Sequence, residues 1–138
     1  MNNIMSVIFA SDNETKLNDL TLHRTTASLP FCGRYRFIDF TLSNLVNSGI
    51  TRIGIMTRSN YSSLMDHIRM GRDWDLNRKN SGIAVFPPYA SNTSRNFKGK
   101  IEALYGILDY MEWAQEDYIV LTNSNVAVNL DFDDVYAR

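Results

Sequence analysis

Four short apolar runs alternate along this chain with segments of helical periodicity, and that alternation restricts its fold more than any other feature. The runs are rich in aliphatic and β-branched residues and cover residues 5–10, 52–56, 82–86 and 118–121. Each run predicts a buried strand. Strands that alternate with helices form mostly parallel sheets with right-handed crossovers, and continuously apolar strands indicate a sheet covered on both faces. The sequence therefore predicts an α/β fold with a mostly parallel sheet flanked by helices.

The first two helices are predicted from apolar spacing and from their stop signals. Residues 38–48 predict a first helix, with Gly49 as its left-handed stop. Ser59 or Ser62 can cap a second helix, which is expected to reach the residue before Gly71.

The third helix is predicted over residues 101–111. Its apolar residues follow the i, i+3, i+4, i+7 spacing of a buried face: Ile101, Leu104, Tyr105, Leu108 and Met111. Residues 131–136 predict the first turns of a fourth helix, and the polar stretches 11–24 and 89–98 predict loops. The fourth helix has only begun where the sequence stops, so the chain is expected to be a fragment of a longer protein.

Composition limits the classes of partner. A chain of 138 residues with a net charge of −1 fits one domain and has no overall field that favours nucleic acid or an anionic membrane. The apolar run 4–10 is too short for a secretory signal or a membrane span. Cys32 is the only cysteine, which excludes an intrachain disulfide and fits a cytoplasmic protein. We expect Cys32 to be a small core residue rather than a nucleophile.

A ligand site is expected beyond the carboxyl ends of the strands, as in other open parallel sheets. Segments 11–17, 57–61 and 122–125 occupy that position. A phosphate loop is normally rich in glycine, because the backbone must approach the anion closely. The first segment has no glycine and contains two acids, Asp12 and Glu14. It is poorly suited to a triphosphate, and an ordinary polar loop is the simpler interpretation.

No complete metal site is predicted. A metal-dependent transferase commonly places a carboxylate after such a strand to hold Mg²⁺, whereas Asn125 offers a neutral amide oxygen. Asp131 is the nearest acid, and helix capping is its expected role. His23 and His67 have no cysteine or carboxylate at zinc-ligand spacing.

The segment 74–79 allows two interpretations. It combines an aromatic residue, an acid and two bases, so Trp74 and Asp75 are candidates for ligand contact. It is equally well explained as a surface loop held in place by the packing of Trp74. The sequence leaves both open.

Long stretches of the chain resemble bacterial ADP-glucose pyrophosphorylases, which are glucose-1-phosphate adenylyltransferases. Residues 30–40 resemble the family's P-F-G-G-[KR]-Y-R-[IL]-I-D-F, and residues 67–79 resemble H-I-x-x-G-x-x-W-D-L-[DN]-R-K. The motif G-T-A-[DN]-A-x-Y-x-x-x-D-Y is matched at Gly99, Ala103, Tyr105, Asp109 and Tyr110. The resemblance implies a Rossmann-like nucleotide-diphospho-sugar transferase fold. Residues 1–138 would form the N-terminal part of the nucleotidyltransferase domain, without its remainder or the C-terminal β-helix domain.

The departures from this resemblance fall on the catalytic positions. The family converts ATP and glucose 1-phosphate to ADP-glucose and pyrophosphate with Mg²⁺. Its G-G-x-G-x-R-L aligns with residues 11–17, where the glycines are lost and Lys16 replaces arginine. The family's lysine in R-A-K-P-A-V-P corresponds to Thr26, and its metal-binding aspartate in G-D-H corresponds to Asn125.

The resemblance therefore implies a regulatory type of subunit in glycogen biosynthesis, with no intact catalytic residues and with a catalytic subunit as its partner. This chain would not itself bind Mg²⁺. Ser11, Asp12 and Lys16 remain candidates for a nucleotide pocket, with ATP or a sugar phosphate as the ligand. Two alternatives stay open. One is an active sugar-phosphate nucleotidyltransferase with an atypical phosphate loop, and the other is a sensor of nucleotide or sugar phosphate.

Overall fold

The computed structural model describes residues 3–10, 17–58, 60–77, 81–87 and 99–137. Within these ranges the strands are β1 (Ile4–Phe9), β2 (Pro30–Phe31), β3 (Tyr35–Arg36), β4 (Arg52–Met56), β5 (Gly82–Phe86) and β6 (Tyr118–Asn123). The α-helices are α1 (Phe37–Asn47), α2 (Ser62–Ile68), α3 (Lys100–Tyr105), α4 (Leu108–Ala114) and α5 (Phe132–Tyr136). Short 3₁₀ segments cover Asn18–Thr21, Thr26–Ser28 and Arg69–Trp74.

The main sheet has the strand order β5-β4-β1-β6, and all its neighbouring pairs are parallel. Strand β1 lies inside the sheet, with Val7 opposite Gly54 of β4 on one side and opposite Leu121 of β6 on the other. The predicted α/β fold with a parallel sheet is confirmed.

Successive residues of β1 point to opposite faces of the sheet, as in any strand, and so join two different hydrophobic cores. Ile4 and Ile8 belong to a core formed with α1 and α2. Met5, Val7 and Phe9 belong to a core formed with α3 and α4. The central strands are therefore covered on both faces, as their continuous apolar sequence predicts.

Strand β6 is less covered than the sequence pattern predicts. It pairs with β1, and no other strand of the described ranges pairs with its second edge. Tyr118, Ile119 and Leu121 are 54%, 42% and 52% exposed. The expectation that every strand is buried on both faces is therefore wrong for β6, because among the described elements only β1 makes extensive contact with it.

Helix α1 forms where the sequence predicts it. Ile38, Leu42 and Leu45 are completely buried, and Gly49 has the expected left-handed conformation with a φ of 73°. At the helix start, the Asp39 carboxylate accepts a hydrogen bond from the Arg36 backbone N–H at 2.9 Å. This contact satisfies a backbone donor that the helix cannot bond internally.

Helix α2 ends earlier than predicted. It stops at Ile68 because Arg69, Met70 and Gly71 all have positive φ values of 45°, 60° and 75°. The reversal packs Gly71 closely against Leu76, whose backbone N–H donates to the Gly71 carbonyl oxygen at 2.9 Å. The extension of the helix to the residue before Gly71 is therefore wrong.

The prediction of one helix over residues 101–111 is also wrong. The chain leaves helical geometry at Ile107, which separates α3 from α4. The buried positions are Ala103, Ile107 and Ala114, while Ile101 and Tyr105 are 84% and 78% exposed. The three buried residues belong to the core on this face of the sheet, and Leu104 and Met111 pack against it, so the buried face coincides only in part with the predicted apolar stripe.

The short hairpin of β2 and β3 was not predicted, and it places Cys32 in an unexpected position. Phe31 pairs with Tyr35, and the turn between them contains Cys32 at a φ of 52° and Gly33 at 77°. Cys32 is exposed. The expectation that it is a core residue is wrong, because the turn directs this part of the chain to the surface.

Two glycines with similar backbone angles give a test of the Gly71 packing. A Cβ at Gly71 would lie 2.6 Å from Leu76 Cβ and 2.9 Å from Ile83 Cδ1, whereas a Cβ at Gly33 meets no atom within 4 Å. We expect Gly33→Ala to lower the free energy of unfolding by about 1 kcal/mol through backbone strain alone, and Gly71→Ala to lower it by about 2–4 kcal/mol. Urea unfolding of both variants measures the difference, and equal losses would contradict the packing of Gly71.

Candidate functional site

The carboxyl ends of the central strands meet at one edge of the sheet. The Ala10 backbone N–H, just after β1, donates to the Met56 carbonyl oxygen of β4 at 2.9 Å. Ser124, just after β6, donates through its backbone N–H and its hydroxyl to the Phe9 carbonyl oxygen, each at 3.3 Å. The segments predicted to form the site thus start side by side. Ser11, Asp12 and Lys16 lie outside the described residues.

The structure adds Lys100 to this edge, a residue that the sequence analysis did not select. Its ammonium nitrogen donates to Asn123 Oδ1 at 2.8 Å and lies 5.1 Å from the centroid of the Phe9 ring. Both contacts are to the last residues of strands, at the point where ligands bind in open parallel sheets. The signal was present in the sequence, since Lys100 stands where the motif G-T-A-[DN]-A has threonine.

A cavity of about 380 Å³ lies beside Lys100. Its polar lining comprises Thr41, Asn44, Lys100, Thr122 and Asn123, and Lys100 is the one charged residue among the described lining residues. A larger cavity of about 850 Å³ lies between the end of α1 and α5 and includes Asp131 and Asp134. We regard the smaller cavity as the candidate site, because its charge and its position suit a phosphorylated ligand whereas two acids repel one.

Thr26 and Asn125, the two described positions that the resemblance matches to catalytic residues, carry neutral side chains. Asn125 is half-buried directly after Ser124. Thr26 is 5% exposed within a 3₁₀ segment, and its Oγ1 has no hydrogen-bond partner. Neither side chain can offset the charge of a phosphate as an ammonium or a carboxylate-bound metal does.

The described residues of this edge do not fit Mg²⁺. Magnesium prefers a shell of oxygen ligands that includes carboxylates. Here the side-chain oxygens belong to amides and hydroxyls, and one amide oxygen is bonded to the Lys100 ammonium, whose charge repels a divalent cation. The part of the chain that the structure describes contains no group of three or more His, Cys, Asp or Glu side chains arranged to hold a metal.

Comparison with known proteins identifies the family. A family model described as nucleotidyl transferase matches residues 5–138. The chain belongs to the nucleotidyl transferase family. It is 35% identical over 135 residues to a glucose-1-phosphate adenylyltransferase of Pseudothermotoga lettingae, which covers 98% of this chain and 32% of that protein.

A second kind of relative is equally similar. The chain is 38% identical over 138 residues to the glycogen biosynthesis protein GlgD of Bacillus subtilis, covering 99% of this chain and 40% of that protein. The chain thus spans between about a third and two fifths of the length of these curated relatives.

The fold agrees with this family. A solved structure described as a glucose-1-phosphate thymidylyltransferase of Bacillus anthracis superposes with a TM-score of 0.75 at 18% identity. The superposition covers 97% of this chain and 49% of that one. The predicted nucleotide-diphospho-sugar transferase fold is confirmed. None of the described helices is long and apolar enough to cross a membrane.

In this nucleotidyl transferase chain, the Trp74 side chain is hydrogen-bonded to α1. Its indole N–H donates to the Ser43 hydroxyl at 3.1 Å, and its ring packs against the core on that face of the sheet. The His67 ring lies edge-on to the Trp74 ring, with 6.4 Å between the ring centroids. His67 Nε2 lies 2.6 Å from Asp39 Oδ1. These contacts support the packing interpretation of segment 74–79.

Asp75 and Asp131 both lie at the boundary of a short helical segment. Asp75 ends one segment, and Asp131 begins another. Asp75 is exposed and has a left-handed φ of 54° at the end of the 3₁₀ segment that contains Trp74. Ligand contact by Trp74 or Asp75 stays a prediction. The expected capping role of Asp131 is confirmed, since its carboxylate accepts from the Asp133 backbone N–H at 2.9 Å at the start of α5.

Replacement of Trp74 separates packing from ligand binding. We expect Trp74→Phe to lower the free energy of unfolding by about 1–2 kcal/mol through loss of the Ser43 hydrogen bond and of buried surface. Trp113, which is 64% exposed, provides the control, and Trp113→Phe should change stability by about 0.5 kcal/mol or less. Urea unfolding gives both values. A Trp74→Phe variant of unchanged stability that binds ATP more weakly would instead show that Trp74 contacts the ligand.

Proposed function

We propose that this chain is the N-terminal part of a regulatory subunit of glucose-1-phosphate adenylyltransferase in glycogen biosynthesis. Its partner would be a catalytic subunit that converts ATP and glucose 1-phosphate to ADP-glucose and pyrophosphate. Relatives include both an adenylyltransferase and a glycogen biosynthesis protein. The exposed thiol of Cys32 is compatible with the reducing cytoplasm as its compartment.

The proposal rests on the side chains at the carboxyl edge of the sheet. Asn123 and Asn125 are neutral amides, and the charged group beside them is the ammonium of Lys100. Transfer of a nucleotidyl group joins two anionic reactants, and metal ions and basic groups normally stabilise the charge that develops. Here Asn125 provides no carboxylate, and among the described residues the nearby cation is Lys100, which is bonded to Asn123. Loss of one preorganised electrostatic group often lowers a rate roughly 10²–10³-fold. The combined loss should be severe, although such effects need not add.

The first test is turnover of the full-length subunit with and without a catalytic subunit. We expect no ADP-glucose formation by the subunit alone, because the described residues of its site lack the charges that bring ATP and the sugar phosphate together. Mixing should change the rate or the effector response of the catalytic subunit. Pyrophosphate release measures turnover, and size-exclusion chromatography measures assembly. Turnover by the subunit alone at the rate of a catalytic subunit would contradict the proposal.

A restoration test addresses the alternative of an active enzyme with an atypical phosphate loop. We expect Asn125→Asp combined with Lys100→Thr and glycines at positions 11, 12 and 14 to raise turnover above that of the native chain. The added carboxylate and the flexible loop would supply the metal ligand and the backbone approach that are missing. Thr26 should be left unchanged, since it is 5% exposed and a lysine there would disturb its packing. A native chain that already matches the restored one, at the rate of a catalytic subunit, would favour the active-enzyme alternative.

A further inference from the structure

We propose that a cavity on the outer face of α1 binds a neutral glucose oligosaccharide. The cavity has a volume of about 350 Å³ and is lined by residues of α1, by Tyr35 of β3 and by residues 127–129. This volume falls within the range of small-molecule sites, roughly 300–1,000 Å³. The inference goes beyond the proposed function, and only the choice of glucose as the sugar unit rests on the proposed role in glycogen biosynthesis.

Two aromatic side chains that line the cavity are the first argument. The ring centroids of Tyr35 and Phe40 lie 6.1 Å apart. Phe31 holds the Phe40 ring from the other direction, in an edge-on contact with 5.5 Å between the centroids. Tyr35 is nevertheless 51% exposed. A sugar ring presents C–H groups on its two faces, and a rigid aromatic ring offers them a large contact area at little cost in conformational entropy.

Neutral hydrogen-bonding groups are the second argument. Asn47 and Asn129 line the cavity and are exposed, and each carboxamide offers an acceptor oxygen and two N–H donors. The Ser43 hydroxyl accepts from the indole N–H of Trp74 at 3.1 Å, so its own hydrogen is left to donate. Sugar hydroxyls both donate and accept hydrogen bonds, and this set of groups matches both functions.

The charge of the lining is the third argument, because it disfavours an anion. Asp39 is the one charged residue among the described lining residues. Its carboxylate is already engaged, since Oδ1 lies 2.6 Å from His67 Nε2 and Oδ2 accepts from the Arg36 backbone N–H at 2.9 Å. A phosphate in this cavity would meet a carboxylate and no cationic side chain of the described lining, and like charges repel. A neutral ligand avoids that repulsion.

The walls of the cavity are held together without a ligand, which is the fourth argument. The Asn44 amide donates to the Val128 carbonyl oxygen at 2.9 Å, and both residues line the cavity. This bond joins α1 to the segment 127–129, and Asn44 is only 8% exposed. A preformed site loses little conformational freedom when a ligand binds. The cavity is therefore suited to a ligand that makes several weak contacts.

An NMR titration of the isotope-labelled full chain with maltotriose, a neutral trisaccharide of glucose, tests the proposal. A final concentration of about 10 mM saturates a site with a Kd of about 1 mM. Inorganic phosphate is then added to the complex as an anionic competitor. Tyr35→Ala removes the ring, Tyr35→Phe keeps it, and Asn47→Ala removes one carboxamide. Tyr105→Ala is the matched control, since Tyr105 is 78% exposed on α3 and does not line the cavity. Circular dichroism melting checks that each variant folds.

We expect maltotriose to shift the resonances of Tyr35 and Asn47 in a saturable manner, and phosphate not to reverse these shifts. Tyr35→Ala should weaken binding about tenfold through loss of the aromatic contact. Asn47→Ala should weaken it about threefold to tenfold through loss of hydrogen bonds, while Tyr35→Phe and Tyr105→Ala stay within about threefold of the native chain.

Three results would each overturn the proposal: no saturable shifts with maltotriose, native affinity in Tyr35→Ala, or displacement of maltotriose by phosphate. If Tyr35→Ala does not fold, Asn47→Ala and the phosphate competition still decide it. The outcome is distinguishable from that of the turnover test. A subunit that lacks turnover and fails to bind maltotriose contradicts this inference alone, whereas a subunit that turns over and binds maltotriose contradicts only the proposed regulatory role.

Discussion

The structure depends on the position of β1 between β4 and β6. Its alternate side chains enter two separate cores, so one strand holds α1 and α2 on one face of the sheet and α3 and α4 on the other. The pairing also sets the register at the carboxyl edge, where Phe9 lies opposite both Met56 and Asn123. A shift of one residue would exchange the two faces and would separate these strand ends. The geometry of the candidate site is thus a consequence of core packing.

Most of the fold could be predicted from the sequence, because the four strands of the main sheet and α1 are specified by local patterns. Where the prediction failed, long-range contacts decided the outcome. In α3 and α4 the large residues Ile101 and Tyr105 indicated one face, but they are exposed, whereas Ala103 and Ala114 are buried in the core with residues of β1. In α2 the left-handed conformation of Arg69 ends the helix before Gly71, the residue that the sequence predicts as its stop. Which residues of a helix pack against the sheet depends on the shape of the sheet surface, and the helix sequence alone does not give that shape.

The location of the candidate site could be predicted from the sequence, but only some of its residues could. The rule that ligands lie beyond parallel strands located the edge, and Asn125 was recognised from its position after β6. Lys100 was missed because it belongs to α3, far along the chain from either strand, and only folding brings its ammonium to Asn123. The opposite happened with Trp74, which the sequence offered as a candidate for ligand contact because its neighbours are polar. In the structure its indole N–H is bonded to Ser43 of α1.

The proposed loss of the reaction is compatible with an intact scaffold. Asn125 and Lys100 belong to neither core, so under the proposed function both positions can differ from those of a catalytic subunit without disturbing the packing of β1 or α1. A charge at the edge is nevertheless compatible with ligand binding, because recognition of an anion needs one fixed positive group, whereas transfer needs several arranged around the reacting phosphorus. Electrostatic demand is therefore higher for catalysis than for binding.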